Sequence, residues 1–363
     1  MKLRSLVPAL GLLAATTATA TAAESGGITI GGFVDVILDI DDDTDELNSS
    51  GPQAPIDWGF GVDIELQITY KIGEAVTAQI DIEHNNGSSS DTDLEQAYIN
   101  WALNDQFSLT AGKYTTYAGW VAADAPDLYR IHGGPITSLY GSDLIGLAGN
   151  YAFSDTVSGS LFLVNGLSDR SNANPAANDF LGIRHLGIAA DVIFTIADVG
   201  SINVEAGYDY LDNGTAASDN DSAEISAAIN ATIKPKSVEG LTLGAELYHR
   251  SAGDYNANTS TLVAGTDSSA LGFLLMGNFA FAENMSGTLM IQNVMNTVDV
   301  SGTETEQTQM EIALALLTTP TGDSNFAVNY ELFFMTDETE TGGTSTAETQ
   351  TIGAAVEFLA IIP

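Results

Sequence analysis

The chain contains no cysteine. Disulfides and thiolate metal sites are therefore excluded, and an exported form must be held together by burial and backbone pairing alone. Positive charge is almost as scarce, with 10 Lys and Arg against 48 Asp and Glu and a net charge of −38. That excludes nucleic acid as a partner, because phosphate binding needs a basic stripe. It also excludes attachment to anionic lipid through basic side chains. Long apolar runs are missing beyond the N-terminus. Segments such as 312–317 and 359–362 fall far below the roughly 20 residues of a membrane helix.

Catalytic and metal signatures are absent as well. His84, His132, His185 and His249 show no H-E-x-x-H spacing, and no G-x-S-x-G elbow occurs. The acidic run DDDTDE at 41–46 lacks the EF-hand spacing and its later Glu. No enzyme, metal or cofactor is expected.

The N-terminus, MKLRSLVPALGLLAATTATATAAES, has two basic residues, an apolar stretch and then small residues. This is the pattern of an export signal, with cleavage after Ala22 or Ala23. Residues 1–22 are read as the signal and 23–363 as one domain. Removal of Lys2 and Arg4 moves the net charge from −38 to −40.

Alternation is what the chain has in abundance. Residues 58–71, WGFGVDIELQITYK, are strictly apolar at every second position, which marks a β-strand with one greasy face. The rhythm recurs at 28–40, 75–84, 94–103, 106–113, 143–153, 157–165, 185–198 and 201–211. It continues at 223–233, 241–250, 269–281, 285–298, 309–317, 325–335 and 349–358, giving sixteen strands. Short links alternate with long ones at 41–57, 85–93, 114–142, 166–184, 212–222, 251–268, 299–308 and 336–348. An even strand count with this alternation predicts an all-β, transmembrane, antiparallel up-and-down barrel, with short periplasmic turns and long extracellular loops. A soluble β-sandwich would alternate too. The charge-free apolar faces, with Trp58, Tyr70, Trp101 and Phe281 near strand ends, favour lipid.

Within 94–194, EQAYI at 95–99, AGKY at 111–114, GLAGNYAFSD at 146–155 and VNGLSD at 164–169 resemble the OmpL-like outer-membrane β-barrel porins. The resemblance covers about a third of the chain. It implies a diffusion pore in the outer membrane. Barrels of this kind usually end in an aromatic residue, whereas this chain ends VEFLAIIP, with Phe358 five positions short of Pro363.

The expected register turns Asp35, Asp39, Asp63, Glu65, Asp81, Glu83, Asp191, Glu205, Asp209, Glu224, Glu246, Glu311, Glu331 and Glu357 away from lipid. Such a wall would attract cations. Segment 114–142, with Gly119, Pro126, Gly133, Gly134 and Pro135, is long enough to need a function. It either enters the lumen or caps the outside. If it enters, Lys113, Arg130, His132 and Arg250 are candidates for a constriction opposite the carboxylates. The expected partners are outer-membrane lipid, small hydrophilic solutes or cations, and two further copies in a homotrimer. A structural or adhesive surface barrel without an open pore is the rival reading.

Overall fold

The computed structural model describes residues 27–45, 56–85, 91–116, 118–121, 124–140, 144–167, 185–211, 222–256 and 261–362. The expected export signal with its cleavage site, and Arg170 and Arg184 among the scarce cations, lie outside these residues.

Sixteen strands occur in the expected order. The first eight are β1 (Ile28–Asp45), β2 (Asp57–Ile72), β3 (Val76–Asn85), β4 (Asp91–Ala102), β5 (Phe107–Tyr114), β6 (Leu144–Ser154), β7 (Val157–Val164) and β8 (His185–Ile196). The others are β9 (Gly200–Leu211), β10 (Ser222–Ile233), β11 (Leu241–Asn256), β12 (Thr261–Ala282), β13 (Met285–Val300), β14 (Thr303–Thr318), β15 (Phe326–Thr341) and β16 (Thr344–Ile362). Each pairs with its sequence neighbour, and β1 closes on β16 with Asp35 opposite Leu359. Closure leaves no unpaired edge, which is the condition for a sheet to cross lipid.

Side-chain alternation sorts the two faces of this wall. On β2, Ile64 and Leu66 are exposed while Glu65 between them is buried. The same inversion of a soluble protein repeats around the barrel, with Leu161, Leu275, Leu314 and Leu332 outside. Trp58, Tyr70, Trp101, Phe153 and Phe281 are exposed on that outer surface near strand ends, where amphipathic rings meet the membrane boundary.

Two of the expected long connections are corrected. At 299–308 and 336–348 the strands continue, so that Val300 pairs with Thr303 and Thr341 with Thr344. The turns are Ser301-Gly302, with φ of 54° and 86°, and Gly342-Gly343, with φ of 60° and 75°. Positive φ at both central positions is the hairpin geometry that matches strand twist. Hydrophobic alternation stops where the wall leaves the lipid, but threonine-rich strands keep pairing. Pairing likewise extends β11 and β12 as far as Asn256 opposite Thr261, inside the expected connection 251–268.

The apolar core lies inside the barrel. Trp120, Ile136, Leu139 and Tyr140, from the segment joining β5 to β6, pack with Phe162, Leu274, Met290 and Val294 of the wall.

Candidate functional site

The segment between β5 and β6 crosses the interior and is fastened to the wall in two different ways. The first anchor uses neutral donors. Gly119, with φ of 110°, takes a backbone conformation open chiefly to glycine. It points its N–H at Glu205 Oε2 on β9, 3.2 Å away. The Trp120 N–H donates to Glu246 Oε1 on β11 at 3.1 Å, and its indole Nε1 donates to Thr232 Oγ1 on β10 at 2.8 Å. The Tyr140 hydroxyl donates to the other oxygen of Glu246. Burial, together with the adjacent Glu246 carboxylate, pushes the Tyr140 phenol well above its ordinary value, so it stays a donor.

Shape fixes this anchor as firmly as hydrogen bonds do. Gly244 lies on the inner face of β11, where a Cβ would come within 2.2 Å of the Trp120 ring. Gly272 on β12 opens the equivalent space under Leu139, 2.6 Å from where a Cβ would be. The Trp120 ring stacks on Tyr129, with centroids 5.5 Å apart and planes 10° from parallel. Farther along, Gln292 on β13 accepts from the Ile136 N–H at 3.1 Å and donates to the Gly133 carbonyl at 2.8 Å.

The second anchor uses cations. Arg130, only 3 % exposed, donates from Nε and Nη2 to the two oxygens of Glu331 on β15, at 3.1 and 2.6 Å. Its Nη1 donates to Glu311 on β14. Such a fork on a carboxylate is among the strongest side-chain pairings. Glu331 Oε2 also accepts the Ile131 N–H at 2.8 Å. His132 places Nδ1 3.0 Å from Glu331 Oε1 and Nε2 3.1 Å from Asp39 Oδ1 on β1. The Asp39 contact has ion-pair distance without hydrogen-bond angles.

Burial alone would lower the affinity of both cations for their protons, but the carboxylates outweigh it. Arg130 is held above its ordinary value by Glu331 and Glu311. His132, opposed by burial but supported by Asp39 and Glu331, rises to about 9. It is therefore charged at neutral pH.

Sequence comparison places this architecture. Residues 63–262 match the family described as phosphate-selective porin O and P. The chain belongs to that porin family. It forms a channel in the outer membrane. No curated protein matches it in sequence. Among solved structures, the outer-membrane channel DcaP of Acinetobacter baumannii is similar with a TM-score of 0.63 at 13% identity, covering 93% of this chain and 98% of that one. An anion-selective porin from Comamonas acidovorans gives 0.60 at 12% identity, covering 93% and 100%. The trimer form of OmpT from Vibrio cholerae gives 0.57 at 13% identity, covering 92% and 100%. At these identities the likeness is one of fold.

In this porin, eleven of the fourteen candidate acidic residues are buried: Asp35, Glu65, Asp81, Asp191, Glu205, Asp209, Glu224, Glu246, Glu311, Glu331 and Glu357. Asp39, Asp63 and Glu83 are half-buried. Of the four candidate constriction cations, the structure brings together Arg130 and His132. Lys113 donates instead to the Leu94 carbonyl, at 2.6 Å in an exposed position. Arg250 sits on β11 with Nε 3.2 Å from Glu224 Oε2, apart from the Arg130 anchor.

Sequence reasoning missed Trp120, Tyr140, Thr232 and Gln292. The available signal was Gly244 and Gly272. Glycine at an inward position of a strand marks a close approach by another part of the chain.

Proposed function

We propose that this porin is a passive diffusion channel that prefers cations, sorting small hydrophilic solutes by size and wall charge without catalysis. The observation that carries the reading is the state of Arg130, His132 and Arg250 among the described residues. Arg130 has Nε, Nη1 and Nη2 committed to Glu331 and Glu311, and Arg250 lies against Glu224. His132 lies between Glu331 and Asp39. A phosphate or other anion needs cationic donors free to turn toward it, and these are occupied. Asp35 and Asp63, register partners on β1 and β2, add further acidic groups to the inner wall.

The family description names phosphate, and the Comamonas acidovorans neighbour is anion-selective. Both favour anions, so the preference proposed here is a departure that must be measured. The wider reading includes export with loss of residues 1–22, insertion in outer-membrane lipid and assembly as a homotrimer, for which the trimer form of Vibrio cholerae OmpT is the support.

Proteoliposomes swelling in free lysine and in free glutamate, solutes of similar size and opposite charge, test the preference. Faster entry of lysine is expected, and equal or faster entry of glutamate would overturn it. Planar bilayers test the pore itself. Absence of channel steps would transfer the assignment to a plugged structural or adhesive barrel.

A further inference from the structure

Away from both anchors, three carboxylates from three elements converge. Glu65 on β2, Glu95 on β4 and Asp124 in the segment between β5 and β6 each offer an oxygen, all within 4.8 Å of one another. Glu95 reaches the group through a break in pairing. Asp81 lies opposite Gln96 while Ile82 lies opposite Leu94, so one extra residue is inserted in β4. Buried Gln96 and outward Ile99 and Trp101 set the alternation of β4. By that alternation alone Glu95 would face lipid. The bulge re-aims it inward.

A second observation comes from the side chains beside the cluster. Gln96 is 3 % exposed, and its Oε1 has no hydrogen-bond partner. Asp81, opposite it, is 0 % exposed, and its Oδ1 also lacks a partner. Gln67, two positions from Glu65 on β2, pairs with Asp81, which puts these acceptors in one row beside the three carboxylates. Buried acceptors left without donors mark the place of a bound water or ion, and three adjoining carboxylates decide for a cation.

The donor set names the class. It is all oxygen, with neither imidazole nor thiolate, which suits hard divalent ions rather than zinc or copper. Calcium–oxygen distances of about 2.3–2.6 Å allow ligands of one ion to lie up to roughly 4.6–5.2 Å apart. The three oxygens here lie within that span. Magnesium, at about 2.0–2.1 Å, keeps several of its waters and takes only one or two protein carboxylates, so three converging carboxylates favour calcium.

We propose that Glu65, Glu95 and Asp124 bind a calcium-class divalent cation, with Gln96 and Asp81 supplying neighbouring oxygens. The ion ties the interior segment to β2 and β4, the side of the barrel that neither anchor reaches. Calcium held there would offset part of the acidic wall, but its binding is read by dialysis whichever ions the pore prefers.

Equilibrium dialysis of the folded full barrel in detergent with radioactive calcium, in enough potassium chloride to screen the acidic wall, reads the site directly. One saturable calcium ion per chain is expected. E95Q and D124N should each weaken binding by about tenfold or more, while E357Q, in a different acidic row, should leave it unchanged. Heat-modifiable gel mobility selects folded protein for every variant. Absence of a saturable site, or equal losses in E95Q and E357Q, would overturn the proposal in favour of diffuse attraction.

Discussion

The two anchors of the interior segment hold similar carboxylates by different means. At β9–β11, Glu205 and Glu246 accept from backbone N–H groups, from Tyr140 and from the amides of Asn203 and Asn230. At β14–β15, Glu311 and Glu331 accept from Arg130 and His132. The first anchor works by shape and hydrogen-bond count, with Trp120 seated over Gly244. The second works by charge. A porin can thus position one segment with neutral contacts on one wall while committing its rare cations to the other.

Removing a cation should produce the largest effect. R130A leaves Glu311 and Glu331 buried without their partner, a loss of about 3–5 kcal/mol for a broken buried pair. Protease cleavage within 114–142 should rise steeply, and R130K should be intermediate because one ammonium cannot reproduce the fork. If R130A resists cleavage as well as wild type, the charged anchor does not hold the segment.

At the neutral anchor, G244A tests shape. The added methyl meets the Trp120 ring and should cost about 1–3 kcal/mol as overpacking. A red shift of tryptophan emission reports it, since Trp120 is buried whereas Trp58 and Trp101 are exposed. Unchanged emission would remove shape from the comparison.

The sharpest contrast is between matched substitutions. E331Q removes a charge that Arg130 needs and should approach the R130A effect. E246Q keeps an acceptor for the Trp120 N–H, so its cost should be about 0.5–1.5 kcal/mol or less. Equal losses in thermal stability would erase the distinction between the anchors.

The smallest effect follows from pH. The His132 proton is held more tightly in the folded barrel, at about 9, than in an unfolded chain, at about 6.5. Its stabilisation is therefore complete below about 6.5 and is lost as pH rises through about 9. Cleavage within 114–142 should increase between pH 7 and 10, and H132Q should flatten that rise. A rise of the same size in H132Q would place the titration elsewhere.

The barrel itself was legible in the sequence because lipid enforces alternation on every crossing strand. Where that pressure ends the reading failed, as at Ser301-Gly302 and Gly342-Gly343, whose threonine-rich flanks read as loops yet pair fully. Arg130 and His132 stood out as rare cations in an acidic chain. Glu311 and Glu331 were legible as two of fourteen wall carboxylates, but not as the partners of Arg130 and His132, because the meeting depends on how far the segment reaches across the barrel. Lys113 carried the same signal but spends its ammonium on the Leu94 carbonyl. Trp120 was passed over because its seat, Gly244, is distant in sequence and has no side chain to announce it.

Among the described residues, the two cations carried inward by the β5–β6 segment, Arg130 and His132, sit against carboxylates, and the proposed channel is acidic for that reason. The reversal potential of the purified porin in a planar bilayer, under a potassium chloride gradient at neutral pH, tests it most directly. Its sign should be that of potassium passing more readily than chloride, and it should weaken as salt is raised on both sides. A reversal potential of the opposite sign would contradict it, and would mean that Arg130 serves passing anions rather than Glu311 and Glu331.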